Sequence, residues 1–309
     1  MTRALQSDEI CVITPTKGRP VQLRKMLETL AAQTAPPGQV IIADGGQDVE
    51  DLVVSFADRL NVMWLPCPEP GQIVQRNYAM GSLAPQIRAV AHIDDDIQFS
   101  PEAFGVIREY WNAQEEDPAG ISFNLTNMPE QAPSMFRTLF AMNSRPFGRV
   151  WVSGYNAPLS GIDVSIKCDW LLGGATLWRR DILEKYKNPV GSVPWAICED
   201  LIFSYPIGKS HVLLACAEAR ALHVDDILPQ SYERARSRTR TAVLWRAFFV
   251  EQNADLSKVA FFWMLFGQIL GRSLGLRHPT AEVRGQWVGT VQGFAHCMMC
   301  SFRRRRVAP

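Results

Sequence analysis

The stretch RAVAHIDDDIQFS, residues 88–100, places three consecutive aspartates directly after an apolar run that is typical of a buried strand. These are Asp94, Asp95 and Asp96. Carboxylates packed together raise one another's pKa and destabilise a fold unless a cation lies between them. Because Mg²⁺ typically combines one or two carboxylates with the phosphates of a substrate, the triplet suggests a metal that carries a phosphorylated ligand. The alternative is a solvated acidic turn before a helix capped by Ser100.

Strand and helix patterns alternate through the first hundred residues. The predicted strands are Ile10–Thr14, Gln39–Asp44, Asn61–Leu65 and Arg88–Asp94. The helical patterns between them carry Leu23, Leu27 and Leu30, then Leu52, Val53, Phe56 and Leu60, then the run IVQRNYAMGSLA. This alternation predicts an α/β fold with a mainly parallel sheet and helices on both faces. Ligands bind beyond the carboxyl ends of the strands in such sheets, and the aspartates fall there.

Composition and charge limit the class of protein. A chain of 309 residues with 47% hydrophobic and 20% charged residues is typical of a globular protein of one or two domains, and its net charge of +1 gives no case for nucleic acid binding. Residues 231–309 nevertheless carry 13 Lys and Arg against 4 Asp and Glu. Seven scattered cysteines and a start without an apolar signal segment favour a cytoplasmic location.

Five blocks of sequence, in order, resemble the inverting family 2 glycosyltransferases of GT-A fold. They are VITPTKGRP, VIIADGG, QRNYAMGSLA, AHIDDDIQFSPEAF, and DWLLGGATLWRRDIL followed by CEDLIFSYPIGK and ALHVDD. The last block is most similar to the rhamnosyltransferase-type members that build bacterial surface polysaccharides. The resemblance implies a Rossmann-like mixed sheet, a nucleoside diphosphate sugar donor, a saccharide or lipid-linked acceptor, and Mn²⁺ or Mg²⁺ as cofactor.

The resemblance also implies roles for single residues. The nucleotide base and ribose would lie against Pro15, Thr16, Arg19 and Asp44, and the ribose and diphosphate near Arg76 and Asn77, which match a helix start in the family. Asp94 and Asp96 match the DXD motif, in which Asp96 holds the metal and Asp94 reaches the ribose or a metal-bound water, and Asp95 between them is a substrate-binding residue. His223 is at a position that can supply another metal ligand. Gly173 and Gly174 would let the backbone approach the sugar or acceptor, and Asp200, with Glu199 beside it, would be the general base.

The chemistry of sugar transfer agrees with these residue roles. A divalent ion stabilises the charge that grows on the departing diphosphate. The acceptor hydroxyl is a poor nucleophile, so a carboxylate must take its proton. Two acidic clusters far apart in sequence meet these needs, and the absent QxxRW motif of processive synthases favours the transfer of a single sugar. Two alternatives are a nucleotidyltransferase, and a sugar-nucleotide-binding scaffold or pseudoenzyme of a polysaccharide assembly complex.

The sequence after the catalytic blocks differs in character. Residues 1–228 are predicted to form the catalytic domain and residues 229–309 a helical, basic extension. Its arginines at 234, 236, 238 and 240 either fold back onto the diphosphate or form a solvated face. The apolar run Val259–Leu276 predicts a buried or interfacial helix. With Arg303–Arg306 it would lie on an anionic membrane surface, making the protein peripheral at the inner face, or it would pack on the catalytic domain or in a homodimer.

Overall fold

The structure, a computed structural model, describes residues 3–187, 197–224, 230–276 and 280–302. The chain divides into two compact units. The sheet unit comprises Met1–Glu130, Leu159–Val190 and Pro194–Asp225, and the helical unit comprises Gln131–Pro158, Gly191–Val193 and Asp226–Pro309. The predicted boundary at residue 228 stays a prediction, and the segment 131–158 belongs to the helical unit.

The described part of the sheet unit contains one mixed sheet of nine strands. They are β1 Ile10–Thr16, β2 Gln39–Asp44, β3 Val62–Pro66, β4 Ala89–Ile93, β5 Ile97–Phe99, β6 Gly120–Leu125, β7 Ile166–Lys167, β8 Ala175–Arg179 and β9 Leu213–His223. Their order is β3-β2-β1-β4-β8-β6-β9-β5, with β7 also pairing with β9. The first four strands are parallel to one another, whereas β8 is antiparallel to both β4 and β6. The α/β mixed sheet of the predicted fold class is therefore confirmed.

Six α-helices accompany the sheet in the described part of this unit. They are α1 Pro20–Ala31, α2 Glu50–Val54, α3 Gln72–Ala79, α4 Ala103–Asn112, α6 Arg180–Lys185 and α7 Glu199–Gly208. Each residue of β1 and β4 is buried, and the leucines predicted to form one stripe of α1 are fully buried with Met26. Apolar residues on both sides of the sheet explain why the strands read as continuous β-branched runs rather than as alternating patterns.

Three details differ from the prediction. The second helix ends at Val54, because the Ser55 hydroxyl turns back to the carbonyl of Leu52, although Phe56 and Leu60 remain buried in the turns that follow. Ser100 caps no helix: its hydroxyl donates to the Arg220 carbonyl. The sheet is evenly mixed rather than mainly parallel.

The helical unit is built from α5 Met135–Leu139, α8 Tyr232–Gln252, α9 Lys258–Gly275 and α10 Ala281–Phe302. The predicted helical extension is thus confirmed. A side chain at Gly285 would overlap the Tyr232 carbonyl, and one at Gly289 the Arg236 carbonyl, so these glycines let α10 lie directly against α8. Both helices advance in the same direction along this contact, which makes them parallel. None of the helices within the described ranges is long and apolar enough to cross a membrane.

Candidate active site

The sheet brings the predicted polar residues to one edge. In the parallel pairs, Thr16 of β1 lies beside Asp44 of β2, and Ile13 of β1 lies beside His92 of β4. The carboxyl ends of these three strands therefore meet, and Asp94–Asp96 follow β4 at the same edge. This is the position at which open α/β sheets bind ligands.

Asp95 and Asp96 are buried and share one arginine. Arg19 Nη1 lies 2.8 Å from Asp95 Oδ1, and Arg19 Nη2 lies 2.9 Å from Asp96 Oδ2. The Thr16 hydroxyl donates to Asp95 Oδ2 over 2.7 Å. Burial raises the pKa of Asp95 to about 6, although Thr16 and Arg19 oppose this. Because Asp95 is 3% exposed and Asp96 is 6% exposed, the alternative of a solvated acidic turn is wrong.

His223 approaches Asp96 from the end of β9. The Asn127 side chain fixes the backbone of His223, accepting from its amide over 2.9 Å and donating to its carbonyl over 2.8 Å. His223 Nε2 then lies 3.3 Å from Asp96 Oδ1. Burial by itself would raise the pKa of Asp96, but His223 and Arg19 outweigh burial and lower it.

Asp94 belongs to a different contact network from its two neighbours. Its Oδ1 accepts from Arg76 Nη2 over 2.6 Å and from Gln72 Nε2 over 2.5 Å. Its amide donates to the Gly174 carbonyl over 2.9 Å, and a Cβ at Gly174 would overlap the Asp94 carboxylate. Glycine at 174 therefore makes room for Asp94. The predicted approach of sugar or acceptor to this glycine stays a prediction.

Arg76 connects the aspartate corner to the second acidic cluster. The guanidinium is buried, and its Nη1 lies 3.4 Å from Glu199 Oε1, so one cation serves Asp94 and Glu199. Burial raises the pKa of Glu199 to about 7; Arg76 opposes this rise, and the charges of Asp200 and Asp94 add to it. The two motifs that lie far apart in sequence, DDD and ED, therefore meet through Arg76.

Glu199 and Asp200 occupy the first turn of α7. Cys198, immediately before them, has the left-handed backbone conformation with φ of 67°, which is uncommon for a residue other than glycine and recurs at functional sites. Asp200 is half-buried, and its Oδ1 accepts from the Leu201 amide over 2.8 Å. A Cβ at Gly173 would lie 3.3 Å from both Asp200 Cβ and Glu199 Oε1. Gly173 thus lets the two acidic residues come close to Arg76.

Asp44 is fully buried and stabilises the turn that follows it in the chain. Its Oδ1 accepts from the Gly46 amide, and its Oδ2 accepts from the amides of Asp48 and Val49 and from the Trp64 indole over 3.0 Å. Burial alone would raise the pKa of Asp44, but the Trp64 indole and these amides lower it. Recognition of a base by Asp44 stays a prediction.

The remaining predicted residues differ in their surroundings. Pro15 is buried within β1, whereas Asn77 is exposed and projects about 100° around α3 from Arg76. Arg76 and Asn77 lie in the second turn of α3, which begins at Gln72, and not at its first residues. The contacts of Pro15, Arg19 and Asn77 with a nucleotide stay predictions.

Two glutamines of α3 were missed by the sequence interpretation. Gln72 contacts Asp94, and Gln75 donates to the carbonyls of Thr16 and Ala43, which ties α3 to the ends of β1 and β2. The spacing of Gln72 and Arg76, one helical turn apart on a shared face, was the available signal.

Buried polar atoms without hydrogen-bond partners concentrate around this edge. In the described part of the chain they include Arg76 Nε, His92 Nε2, Asp96 Oδ1 and Glu199 Oε2. A buried unsatisfied polar atom costs about 1–3 kcal/mol, and such atoms call for a bound water, ion or ligand. The group therefore marks this edge as a place where a ligand would complete the hydrogen bonding.

The chemistry of the donor atoms fits a divalent ion at Asp96. Its Oδ1 accepts no hydrogen bond of good geometry, yet it lies 3.3 Å from His223 Nε2, close enough for both atoms to bind one ion. Across the described ranges, no group of three or more His, Cys, Asp and Glu side chains is arranged to hold a metal. The protein thus offers a two-ligand site that phosphate oxygens would complete.

The sheet and its helices form a fold of the GT-A type, and the comparisons with known proteins agree. Residues 11–148 match the family described as Glycosyl transferase family 2. This region, slightly less than half of the chain, is similar to family 2 glycosyl transferases, which supports the family prediction. The narrower similarity to rhamnosyltransferase-type members stays a prediction.

Solved structures share the fold at low sequence identity. Residues 1–349 of S. aureus TarS superpose with a TM-score of 0.58 and 16% identity, covering 94% of this chain and 80% of that one. The TarS fragment in complex with UDP-GlcNAc gives a TM-score of 0.56, with 16% identity and coverage of 94% and 81%. The mannosyltransferase PcManGT of Pyrobaculum calidifontis, in complex with GDP-Man and Mn²⁺, gives 0.57 and 13% identity, covering 95% and 87%. No curated protein matches the sequence.

Proposed function

We propose that this protein transfers a single sugar, with inversion, from a nucleoside diphosphate sugar to the hydroxyl of a saccharide or lipid-linked acceptor in polysaccharide or glycolipid synthesis. The observation that carries the proposal is the junction at Arg76, which joins the DXD corner to the acidic pair of α7. One edge of the sheet thereby combines groups suited to a diphosphate with a carboxylate suited to proton transfer.

The donor side of the site consists of Asp96, His223 and Arg19. Asp96 and His223 would hold Mn²⁺ or Mg²⁺, and the ion would act as a Lewis acid toward the diphosphate leaving group. Arg19 bridges Asp95 and Asp96 and keeps these carboxylates in place. A complex with GDP-Man and Mn²⁺ in the structural neighbour PcManGT supports this choice of ligand class.

The acceptor side consists of Asp200, with Glu199 in a supporting role. A general base must reach the acceptor hydroxyl within hydrogen-bonding distance. Asp200 is half-buried, whereas Glu199 is buried against Arg76. We therefore assign proton removal to Asp200. Glu199 positions Arg76, which in turn positions Asp94. An inverting transfer needs only one such base, placed opposite the leaving group.

The first experiment measures donor binding and turnover separately. Thermal shift and donor hydrolysis are screened over a panel of nucleotide sugars, including UDP-GlcNAc and GDP-mannose, with and without Mn²⁺. The variants are Asp96→Asn, Asp200→Asn and, as a matched exposed carboxylate, Asp58→Asn. We expect Asp96→Asn to lose metal-dependent donor binding and turnover, and Asp200→Asn to lose turnover while it still binds the donor. Asp58→Asn should behave like the wild type.

Several outcomes would contradict the proposal. Full turnover by Asp96→Asn or Asp200→Asn would remove the assigned roles. Release of pyrophosphate would indicate a nucleotidyltransferase, and donor binding without turnover on any acceptor would favour the scaffold alternative. NMR of the product tests inversion, since retention of the anomeric configuration would refute a single displacement.

A further inference from the structure

The helical unit presents a continuous apolar face to solvent, which we call the α9 face. It consists of residues on one side of α9 and two residues of α5. They are Val259, Trp263, Phe266, Leu270 and Leu274 of α9, with Met135 and Leu139 of α5. Spacings of four, three, four and four residues place the α9 members on one side of the helix. Met135 is 91% exposed and Val259 is 82% exposed, so these side chains are not core residues at the margin of a cluster.

Close packing of α5 on α9 makes the face continuous. Phe140, just after α5, packs at Gly267, and Phe136 packs near Gly271, where an added Cβ would lie 3.4 Å from the Phe136 ring. The Trp263 indole donates to the Leu139 carbonyl over 2.7 Å, and its ring lies 4.9 Å from that of Phe140. The exposed apolar residues of α5 therefore extend the stripe on α9.

The two stretches of chain that form the α9 face carry only positive charges. Residues 131–158 and 258–276 together carry five Lys and Arg and no Asp or Glu. Of these cations, Arg137 lies within α5, and Arg145 and Arg149 follow it in the sequence. Lys258 begins α9 and forms an ion pair with Glu251 over 2.8 Å, and Arg272 turns away from the face to contact Thr290. The helical unit as a whole has 16 Lys and Arg against 5 Asp and Glu.

We propose that the α9 face docks on an anionic lipid surface, with its apolar side chains among the acyl chains and its cations among the headgroups. An amphipathic helix with Trp, Phe and Leu on one face binds a membrane interface through apolar burial together with attraction to anionic lipids. A second copy of this chain is a poorer occupant, because two faces of equal positive charge would repel each other. The proposal does not depend on the proposed sugar transfer, and its test needs no turnover.

The experiment is sedimentation of the full-length protein with vesicles. The probes are vesicles of phosphatidylcholine alone and of phosphatidylcholine mixed with phosphatidylglycerol. The double variant Val259→Gln/Leu274→Gln removes two exposed side chains from the face, and both substitutions keep good helix formers in α9. The matched control is Val54→Gln, which changes a valine that is 61% exposed at the end of α2 in the sheet unit.

We expect the wild type to bind the anionic vesicles and to bind phosphatidylcholine at least about tenfold more weakly, a difference of about 1.4 kcal/mol. The double variant should lose at least about tenfold in partitioning, whereas Val54→Gln should not change it. High salt should weaken the wild-type binding because it screens the cations. Circular dichroism of the double variant verifies that it remains folded.

Four results would overturn the proposal. They are no binding to either vesicle, equal binding to both, unchanged binding by the folded double variant, and a dimer in solution that the double variant dissociates. The last result would assign the face to a second copy of the chain. A loss of vesicle binding with donor binding intact would separate this surface from the sugar-nucleotide site.

Discussion

Gly174 offers a direct test of the contact network around Asp94. A methyl carbon at position 174 would overlap the Asp94 carboxylate and would lie only 2.7 Å from Asp94 Oδ1. Asp94 has little freedom to move, because Arg76 and Gln72 both hold that oxygen. In Gly174→Ala the Asp94 carboxylate must therefore move away from Arg76, whose closest partner it is.

The size of the effect follows from the burial of the pair. Removing one partner of a buried ion pair costs about 3–5 kcal/mol. The Asp94 side chain is 31% exposed and Glu199 remains 3.4 Å from Arg76. We therefore expect Gly174→Ala to lower the free energy of unfolding by about 2 kcal/mol, below the range for a fully buried pair.

The assay is urea unfolding of a double-mutant cycle with Asp94→Ala. Without the carboxylate there is nothing for the methyl group to displace, so Gly174→Ala should cost less than about 0.5 kcal/mol in the Asp94→Ala background. Gly81→Ala is the matched control, since an added Cβ there meets nothing within 4 Å. The reasoning would be refuted by equal costs of Gly174→Ala in both backgrounds, or by a cost of Gly81→Ala as large as that of Gly174→Ala.

Three further substitutions test the charges at the sheet edge. Because the pKa of Glu199 is raised from 4.5 to about 7, chiefly by burial, the wild type should lose about 3 kcal/mol of stability as pH rises between these values. Glu199→Gln should remove this loss, which is measured by urea unfolding at pH 5 and pH 8. Parallel pH profiles of the wild type and the variant would contradict this prediction. Trp64→Phe removes a hydrogen-bond donor to Asp44, so it should lower the free energy of unfolding by about 1–2 kcal/mol at pH 7 and by less in acid, where Asp44 is protonated. A loss of stability that does not change with pH would show that the hydrogen bond to Asp44 is not its cause. Burial first, and then the Arg76 charge, lower the pKa of His92 well below 6.5, so the wild type should lose stability as pH falls below 6.5. His92→Leu should flatten that acid limb in thermal melts, and an unchanged limb would show that another group causes it.

The parallel half of the sheet was predictable because burial on both faces leaves a simple sequence pattern. The strand at Gln39–Asp44 was predicted with its observed bounds, and the other three within two residues at each end. The placement of β8 was not predictable, since β4 pairs with it across an intervening stretch of more than eighty residues. Such pairing depends on the total packing of the sheet rather than on any local run of residues.

The residue types of the site could be predicted from the sequence, but the side chains that they contact largely could not. Three carboxylates after a strand predict a cationic neighbour, which the sequence interpretation took to be a metal. Arginines supply part of that charge in the structure: Arg19 serves Asp95 and Asp96, and Arg76 serves Asp94. Side-chain pairing across such sequence separations leaves no periodic signal, so Arg19 was assigned only to the nucleotide.

The arginines change what an ion would contribute at this edge. Asp94, Asp95 and Asp96 each lie within 3 Å of a guanidinium, so the fold does not depend on a metal to offset their repulsion. Metal binding coupled to folding is expected where the ligands are unpaired and the site forms only with the ion. Here Arg19 holds one oxygen of Asp96 and leaves Oδ1, with His223 beside it, for another partner. Under the proposed function, the free energy of binding an ion is then available for recognising the diphosphate rather than for assembling the site.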